Sequence, residues 1–383
     1  MNSALDGLRV LDFTTTIAGP HCARMLADLG AEVIKIEAPE GDMMRTRPPL
    51  RNGASTSFGQ LNAGKKSIAL DLKSPGAVAA VRRLVATADV VVENFRPGVM
   101  RRFGLDYDAL RAIKPDLVYC AISGYGQSGP SAELPAYAPV IHAASGYDLA
   151  HMAYQGEVRR PDYCGIYIAD VLTGTYAFGA IVTALYQRRV GGEGQMIDVS
   201  MLESMLSLTL SEIQAAQFAV APPGRPVFGP IATKDGYINL SIASERTFQN
   251  LATASGHPHW LTDRRFAEYT NRRANWGELI EELERWSKEL SASEVQAIFD
   301  RHGVPSSPYR TVKEAMADPQ LAHRRAFAEI TDAGGTFLAL NLPFRMTATT
   351  TAATPCVAAL GEHTEELLAE IGYTHAEIAA LRR

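Results

Sequence analysis

The sequence predicts an α/β protein: a Rossmann-like large domain around a parallel sheet, with a smaller α+β domain attached. Two observations carry this. Short, nearly continuous apolar runs alternate with helical patterns along the first two hundred residues, the mark of parallel strands buried on both faces. Near Ala221 the texture changes to "APPGRPVFGP" and the alternation stops.

Residues 8–13 (LRVLDF) read as a buried strand. The loop TTTIAG follows, then a helix over 20–29 with Pro20 at its first position and Gly30 past its end. Residues 33–37 (VIKIE) are the next strand, completing a βαβ unit whose crossover is expected to be right-handed. The pattern repeats with a short strand or arm at 67–71, a helix at 75–87, a strand at 88–93, a helix at 107–113 and a strand at 116–123. Long helices are predicted over 137–151 and 170–189, and another beginning near 198. The Pro/Gly-rich stretch at 221–230 reads as a linker. A hairpin over 231–242 turns at Asp235-Gly236. Helices follow to about 325, strand-like sequence returns over 327–347, and a last helix is introduced by residues 361–364. The expected domains are therefore 1–220, completed by 327–383, and a small domain at 221–326.

Composition narrows the function classes. The net charge of −5 offers no overall basic field for nucleic acid, so no nucleic-acid partner is expected. An anionic ligand would need a local cluster of Lys and Arg. No run of about 18 residues is uniformly apolar and the N-terminus does not resemble a signal peptide, so no membrane partner is expected. Cys22, Cys120, Cys164 and Cys356 are widely spaced, as expected of reduced thiols in a cytoplasmic protein. The histidines, His257 and His259 included, have no partners at metal-ligand spacing, and no metal site is expected.

Gly124-Tyr-Gly126-Gln-Ser-Gly129 fits G-x-G-x-x-G after a strand, but Pro130 and Pro135 follow where a pyrophosphate would need a helix start. It reads as a glycine-rich turn. The stretch Glu93-Asn94-Phe95-Arg96-Pro97-Gly98 ends a strand, the end at which open α/β sheets bind ligands. Lys73, Arg96, Arg101 and Arg102 are either a seat for a phosphate-rich ligand or an ordinary solvated surface. Asp170 stands inside the apolar run "GIYIADVLTGTYAFGAIVTALYQRR" (165–189), where a carboxylate is costly without partners. Asp170, Gly174, Ala177, Ile181 and Ala184 share one helix face, mostly small, which permits close approach by another helix or a ligand. Asp170 is either a helix cap or a functional group at a helix start.

Several segments together resemble the class III CoA-transferases, which include formyl-CoA:oxalate and carnitine CoA-transferases, and the related α-methylacyl-CoA racemases. The segments are LRVLDFTTTIAGP (8–20), LADLGAEVIKIEAPEGD (26–42), N-x-x-K-x-S-I-x-L-D-L-K (62–73), ADVVVENFRPGV (88–99), ISGYGQSGP (122–130), ADVLTGTYA (169–177) and GEGQMIDVSMLE (192–203), with TKDGY, HGVPSSPY and DPQL further on. The resemblance implies a large Rossmann-like domain built from both chain ends, a small domain and an interlocked homodimer. It puts the catalytic aspartate at Asp170 and CoA-binding positions at Ile17, Ala18, Leu70, Lys73, Asn94, Phe95, Arg96, Arg102 and Tyr137. It implies CoA transfer between carboxylic acids through an aspartyl anhydride and an aspartyl-CoA thioester, with coenzyme A as part of the substrate and no tightly bound cofactor. The sequence departs from formyl-CoA transferase at Ile17, a glutamine there, and at Ala38, an arginine there. Pro222–Gly224 and Gly229 do not match its glycine-rich loop. Alternatives are a 2-methylacyl-CoA racemase, for which His142 is the candidate second base, and a non-catalytic acyl-CoA-binding protein.

Overall fold

A computed structural model describes residues 3–155, 160–161, 164–218 and 227–381. The chain divides into two compact units, Met1–Leu210 with Gln320–Arg383, and Ser211–Pro319. The first unit resumes at Gln320, ahead of the expected 327. The expected boundary at 220/221 falls outside the described residues.

The first unit begins with strand β1 (Arg9–Asp12), helix α1 (Ala18–Asp28) and strand β2 (Glu32–Glu37). There follow β3 (Lys66–Ala69), α2 (Pro75–Val85), β4 (Val90–Glu93) and β5 (Val118–Ser123). Next come α3 (Ala138–Ala144), α4 (Tyr147–Ala153), α5 (Ile168–Gly191), β6 (Gln195–Ser200) and α6 (Met201–Leu206). The sheet has the order β3-β2-β1-β4-β5-β6, every pair parallel. This is the 3-2-1-4-5-6 order of an open doubly wound sheet, whose strand order reverses between β1 and β4. One face packs Leu11, Ile34, Ile68 and Val91 against Val81 and Leu84 of α2. The other packs Val10, Val33, Val90 and Val118 against Leu26 of α1 and Ile181 of α5. Strands buried on both faces have no polar face to show, hence their continuous apolar runs.

Two predicted elements differ. The helix expected over 137–151 is two helices, because Gly146 takes a left-handed conformation (φ 78°) and turns the chain. The helix expected near 198 starts at Met201, and residues 195–200 are the sixth strand. That strand lies at the edge, with Gln195 half-buried and Met196 exposed, and Ser200 caps the next helix with no loop between them. It lacks the apolar run that marks the central strands.

The second unit carries a three-stranded antiparallel sheet, β7 (Phe228–Ala232), β8 (Tyr237–Ser241) and β9 (Ser306–Pro308), with β8 in the middle. Asp235-Gly236 makes the β7–β8 turn as expected. Of the expected linker, residues 221–226 lie outside the described residues and 228–230 already belong to β7. Trp260, Phe248, Phe266 and Phe299 fill this unit's own core.

Residues 327–340 return to the first unit as the hairpin β10 (Phe327–Asp332) and β11 (Gly335–Leu340). Helices α7 (Thr364–Glu370) and α8 (His375–Leu381) follow, and Leu367 and Ile378 enter the α2-side core. The segment before α7 closes the edge at β3. His363 N–H donates to Ser67 O (2.9 Å), Gly361 N–H to Ser67 Oγ (2.9 Å), and Ala69 N–H to Thr364 Oγ1 (3.1 Å).

Candidate active site

Two cavities open at the carboxyl ends of the strands, on either side of the reversal between β1 and β4. The first, about 260 Å³, is lined by Phe13–Thr15 after β1, Ala38 after β2, Leu70–Lys73 after β3, and Phe95 and Phe103. The second, about 250 Å³, is lined by Thr15, Thr16 and Ala18, by Asn94–Pro97 after β4, by Ser123 and Gly124, and by Tyr137 and Asp170. Thr15 and Phe95 line both.

The loop between β1 and α1 is pinned from below. Asn94 Oδ1 accepts from Thr15 N–H (2.8 Å) and its Nδ2 donates to Thr15 O (2.8 Å). Lys35 Nζ donates to Thr14 O (2.7 Å) and pairs with Asp42 (3.0 Å). Asp12 accepts from Thr14 N–H (2.9 Å) and from the Thr14 hydroxyl. Lys65 Nζ donates to Asp12 (2.8 Å), Pro20 O (3.0 Å) and Asn62 Oδ1 (3.0 Å). These clamps hold Thr16 at φ 64°, a conformation that costs a β-branched residue about 1–3 kcal/mol.

The same loop brings two helix starts together. Gly174 of α5 packs on the first turn of α1, where a Cβ would stand 2.4 Å from Ala18 O and 3.1 Å from the His21 ring. Only glycine admits this approach, which explains the small face of α5: Gly174, Ala177 and Ala184 are buried there. The partner that approaches is α1. Asp170, in the first turn of α5, is thereby brought near the Ala18 N–H, whose partial positive charge favours the ionised carboxylate. The N-cap position is Tyr167, so Asp170 is not the cap. Its half-buried carboxyl is pushed up to about 6 by loss of hydration, which the Ala18 N–H only partly offsets.

The positions named from the sequence separate into groups. Ala18, Asn94, Phe95, Arg96 and Tyr137 line the cavity that holds Asp170. Leu70 and Lys73 line the other, with Phe95. Arg102 is exposed and lines neither. Arg101 also lies apart, paired with Asp106 at 2.8 Å. Ile17 faces a third cavity, about 350 Å³, with Tyr167, Met44 and Phe337. The Asn94 amide is engaged by Thr15 on both its oxygen and its nitrogen, and so ties the loop to the end of β4.

Sequence reasoning missed Glu93, the buried last residue of β4. Its Oε2 accepts from Phe95 N–H (2.8 Å), and burial pushes its carboxyl up to about 8. A carboxylate closing an all-apolar strand (VVVE) is the signal in the sequence by which it could be found. His142 does not line the Asp170 cavity; it is buried, and its Nε2 accepts from Ala169 N–H at 3.2 Å. Among the described residues, no three His, Cys, Asp or Glu side chains come together as a metal site, and the four cysteines are unpaired.

The CoA-transferase family III model matches residues 5–364. The chain is 34% identical to a succinate–glutarate CoA-transferase of Agrobacterium fabrum, over 96% of this chain and 95% of that protein. It is 37% identical to an acetyl-CoA:oxalate CoA-transferase of Acetobacter aceti, over 83% of this chain and 84% of that protein. A CaiB/BaiF family protein of Brucella suis superposes with a TM-score of 0.85 at 34% identity, covering 97% of this chain and all (100%) of that one. The pinned loop, the carboxylate between two helix starts and the paired cavities thus lie in an enzyme of CoA-transferase family III, to which this chain belongs.

Proposed function

We propose that the enzyme moves CoA between carboxylic acids, with Asp170 as the covalent nucleophile. The observation that carries this is the Asp170 carboxyl beside the Ala18 N–H, lining a cavity that shares Thr15 and Phe95 with a second cavity edged by Lys73. The nucleotide end of CoA sits in the Lys73 cavity and the thioester reaches Asp170. Asp170 attacks the donor's thioester carbonyl, the C–S bond breaks, and an acyl–aspartyl anhydride and CoA thiolate result. The thiolate attacks the aspartyl carbonyl, releasing the donor acid and leaving an aspartyl-CoA thioester. The acceptor carboxylate reverses both steps. A carboxylate in a poorly hydrated cavity is a stronger nucleophile than a solvated one, and the nearby Ala18 N–H favours negative charge there.

The names of the relatives, which include succinate, glutarate and oxalate, support carboxylate donors and acceptors. CoA enters and leaves as substrate, with no resident cofactor. The exposed side of α5 carries Val171, Tyr176, Tyr186 and Val190, which supports cover by a second copy in a homodimer. A cytoplasmic location fits the four unpaired thiols.

The test is incubation with a panel of succinyl-, acetyl- and glutaryl-CoA, followed by mass spectrometry of the peptide containing Asp170. A hydroxylamine-cleavable CoA adduct is expected there, and Asp170→Ala is expected to bind CoA yet lose turnover. The rate should fall as pH drops through about 6, because protonation removes the nucleophile. Full turnover by Asp170→Ala overturns the mechanism.

A further inference from the structure

His142 sits on α3, 1% exposed, outside the cavity that holds Asp170. Its Nε2 accepts from the backbone N–H of Ala169, the second residue of α5 and the neighbour of Asp170. A ring nitrogen that accepts carries no proton, so the ring is neutral with its hydrogen on Nδ1. Nδ1 is buried and meets no hydrogen-bond partner among the described residues. A buried donor left alone costs about 1–3 kcal/mol, so packing alone gives no reason for a histidine here. What the ring supplies is an acceptor for a helix N–H that has none within its own helix.

Its surroundings keep it neutral. α3, α4, α5 and α6 meet around Ile141, Ala169, Met201 and Met205. Tyr147 of α4 tilts against the ring at 5.9 Å. Asp148, also on α4, is the charged group that favours protonation, and burial outweighs it, so the imidazole is held below its ordinary range.

We propose that His142 is a positioning residue for CoA transfer: its neutral imidazole fixes the first turn of α5 and so holds the Asp170 carboxylate at the Ala18 N–H. The proposal rests on Asp170 being the nucleophile. It also has a chemical consequence. An imidazolium has two donors and no acceptor, so protonation removes the bond to Ala169 and sets a positive charge against the positive end of the helix.

The experiment follows adduct formation on Asp170 with the same acyl-CoA panel, in the parent, His142→Gln and His142→Ala. The glutamine amide oxygen replaces the accepting nitrogen without titrating. The alanine variant is expected to form the adduct about 100-fold more slowly, the scale of a misplaced reacting group, with its CoA dissociation constant unchanged. The glutamine variant should stay close to the parent. In the parent, the logarithm of the rate should fall with acid more steeply than the unit slope that protonation of Asp170 alone gives; in His142→Gln it should keep unit slope. Parental rates in His142→Ala, or steepening that persists in His142→Gln, overturn the proposal. Nitrogen NMR of histidine-labelled parent enzyme gives a readout independent of turnover and of the variants' folding. It should show His142 with a proton on Nδ1 and none on Nε2 at pH 7. The opposite tautomer overturns the proposal, whereas the expected tautomer with the adduct on another residue sinks only the nucleophile assignment.

Discussion

Asp12 and Asp170 are carboxylates removed from bulk water on opposite sides of one loop, and their surroundings differ in almost every other respect. Asp12 is fully buried at the end of β1. Burial alone would push its carboxyl up, but the ammonium groups of Lys65 and Lys35 and the bonds from Lys65 and Thr14 outweigh this and hold it below the usual carboxylate range. Asp170 has the Ala18 N–H and no cation acting on it, and burial wins. The first carboxylate has its lone pairs engaged and serves to hold the loop. The second keeps lone pairs available at the edge of a cavity. Partners, more than depth, separate a structural acid from a reactive one.

Removing the cation from Asp12 should have the largest effect. Lys65→Met removes the direct partner of a buried charge, leaving only the more distant Lys35, and should cost about 3–5 kcal/mol in urea unfolding. Asp12 ionises more readily folded than unfolded, so its contribution is complete above the ordinary aspartate range and fades as pH falls through the lowered folded value. The deficit of Lys65→Met should shrink there. A loss under about 1 kcal/mol at neutral pH would mean that the pair is not what holds the loop.

A smaller effect is expected where the two regions meet. Gly174→Ala drives a methyl group into Ala18 O and should destabilise by about 1–3 kcal/mol. Because it moves α5 away from the Ala18 N–H, adduct formation should fall more than CoA affinity does. Equal losses in both would separate the helix contact from the chemistry.

The smallest effect carries the opposite sign. Asp170 ionises less readily folded than unfolded, so it has no effect below about pH 4, where both states are protonated, lowers stability as pH rises from about 4 to about 6, and costs its full amount above that. Asp170→Asn should therefore raise Tm by about 1–2 °C at pH 8, with the gain gone below pH 4. A lower Tm at pH 8 would place Asp170 with Asp12 as a structural group.

Much of this was legible because it is local. The β1-α1-β2 unit follows from two apolar runs and a proline-started helix, and Asp170 stood out as one charge in an apolar stretch. The small face of α5 announced a close neighbour but could not name it, since α1 lies some 150 residues earlier in the chain. The resemblance points Asn94 at CoA, but nothing in its motif shows the grip of its amide on Thr15, 79 residues away. His142 was weighed as a second base, and its partner Ala169 is 27 residues on. Edge strand β6 was hidden for another reason. It has one flank unpaired and an exposed side chain near its start, so its composition does not separate it from the helix it runs into.

The closure of the sheet edge at β3 has a consequence for biosynthesis. A ribosome delivers β3 early, with Ser67 and Ala69 waiting for bonds that only residues 361–364 supply. Almost three hundred residues, including the whole of the second unit, must emerge before that edge is covered. Until then the nascent chain presents an open parallel edge, the feature most prone to pairing with a stranger. The last sixty residues therefore set when the first unit can finish folding, and a ribosome that stalls before them leaves a chain with its later-made unit complete and its earlier one unsealed.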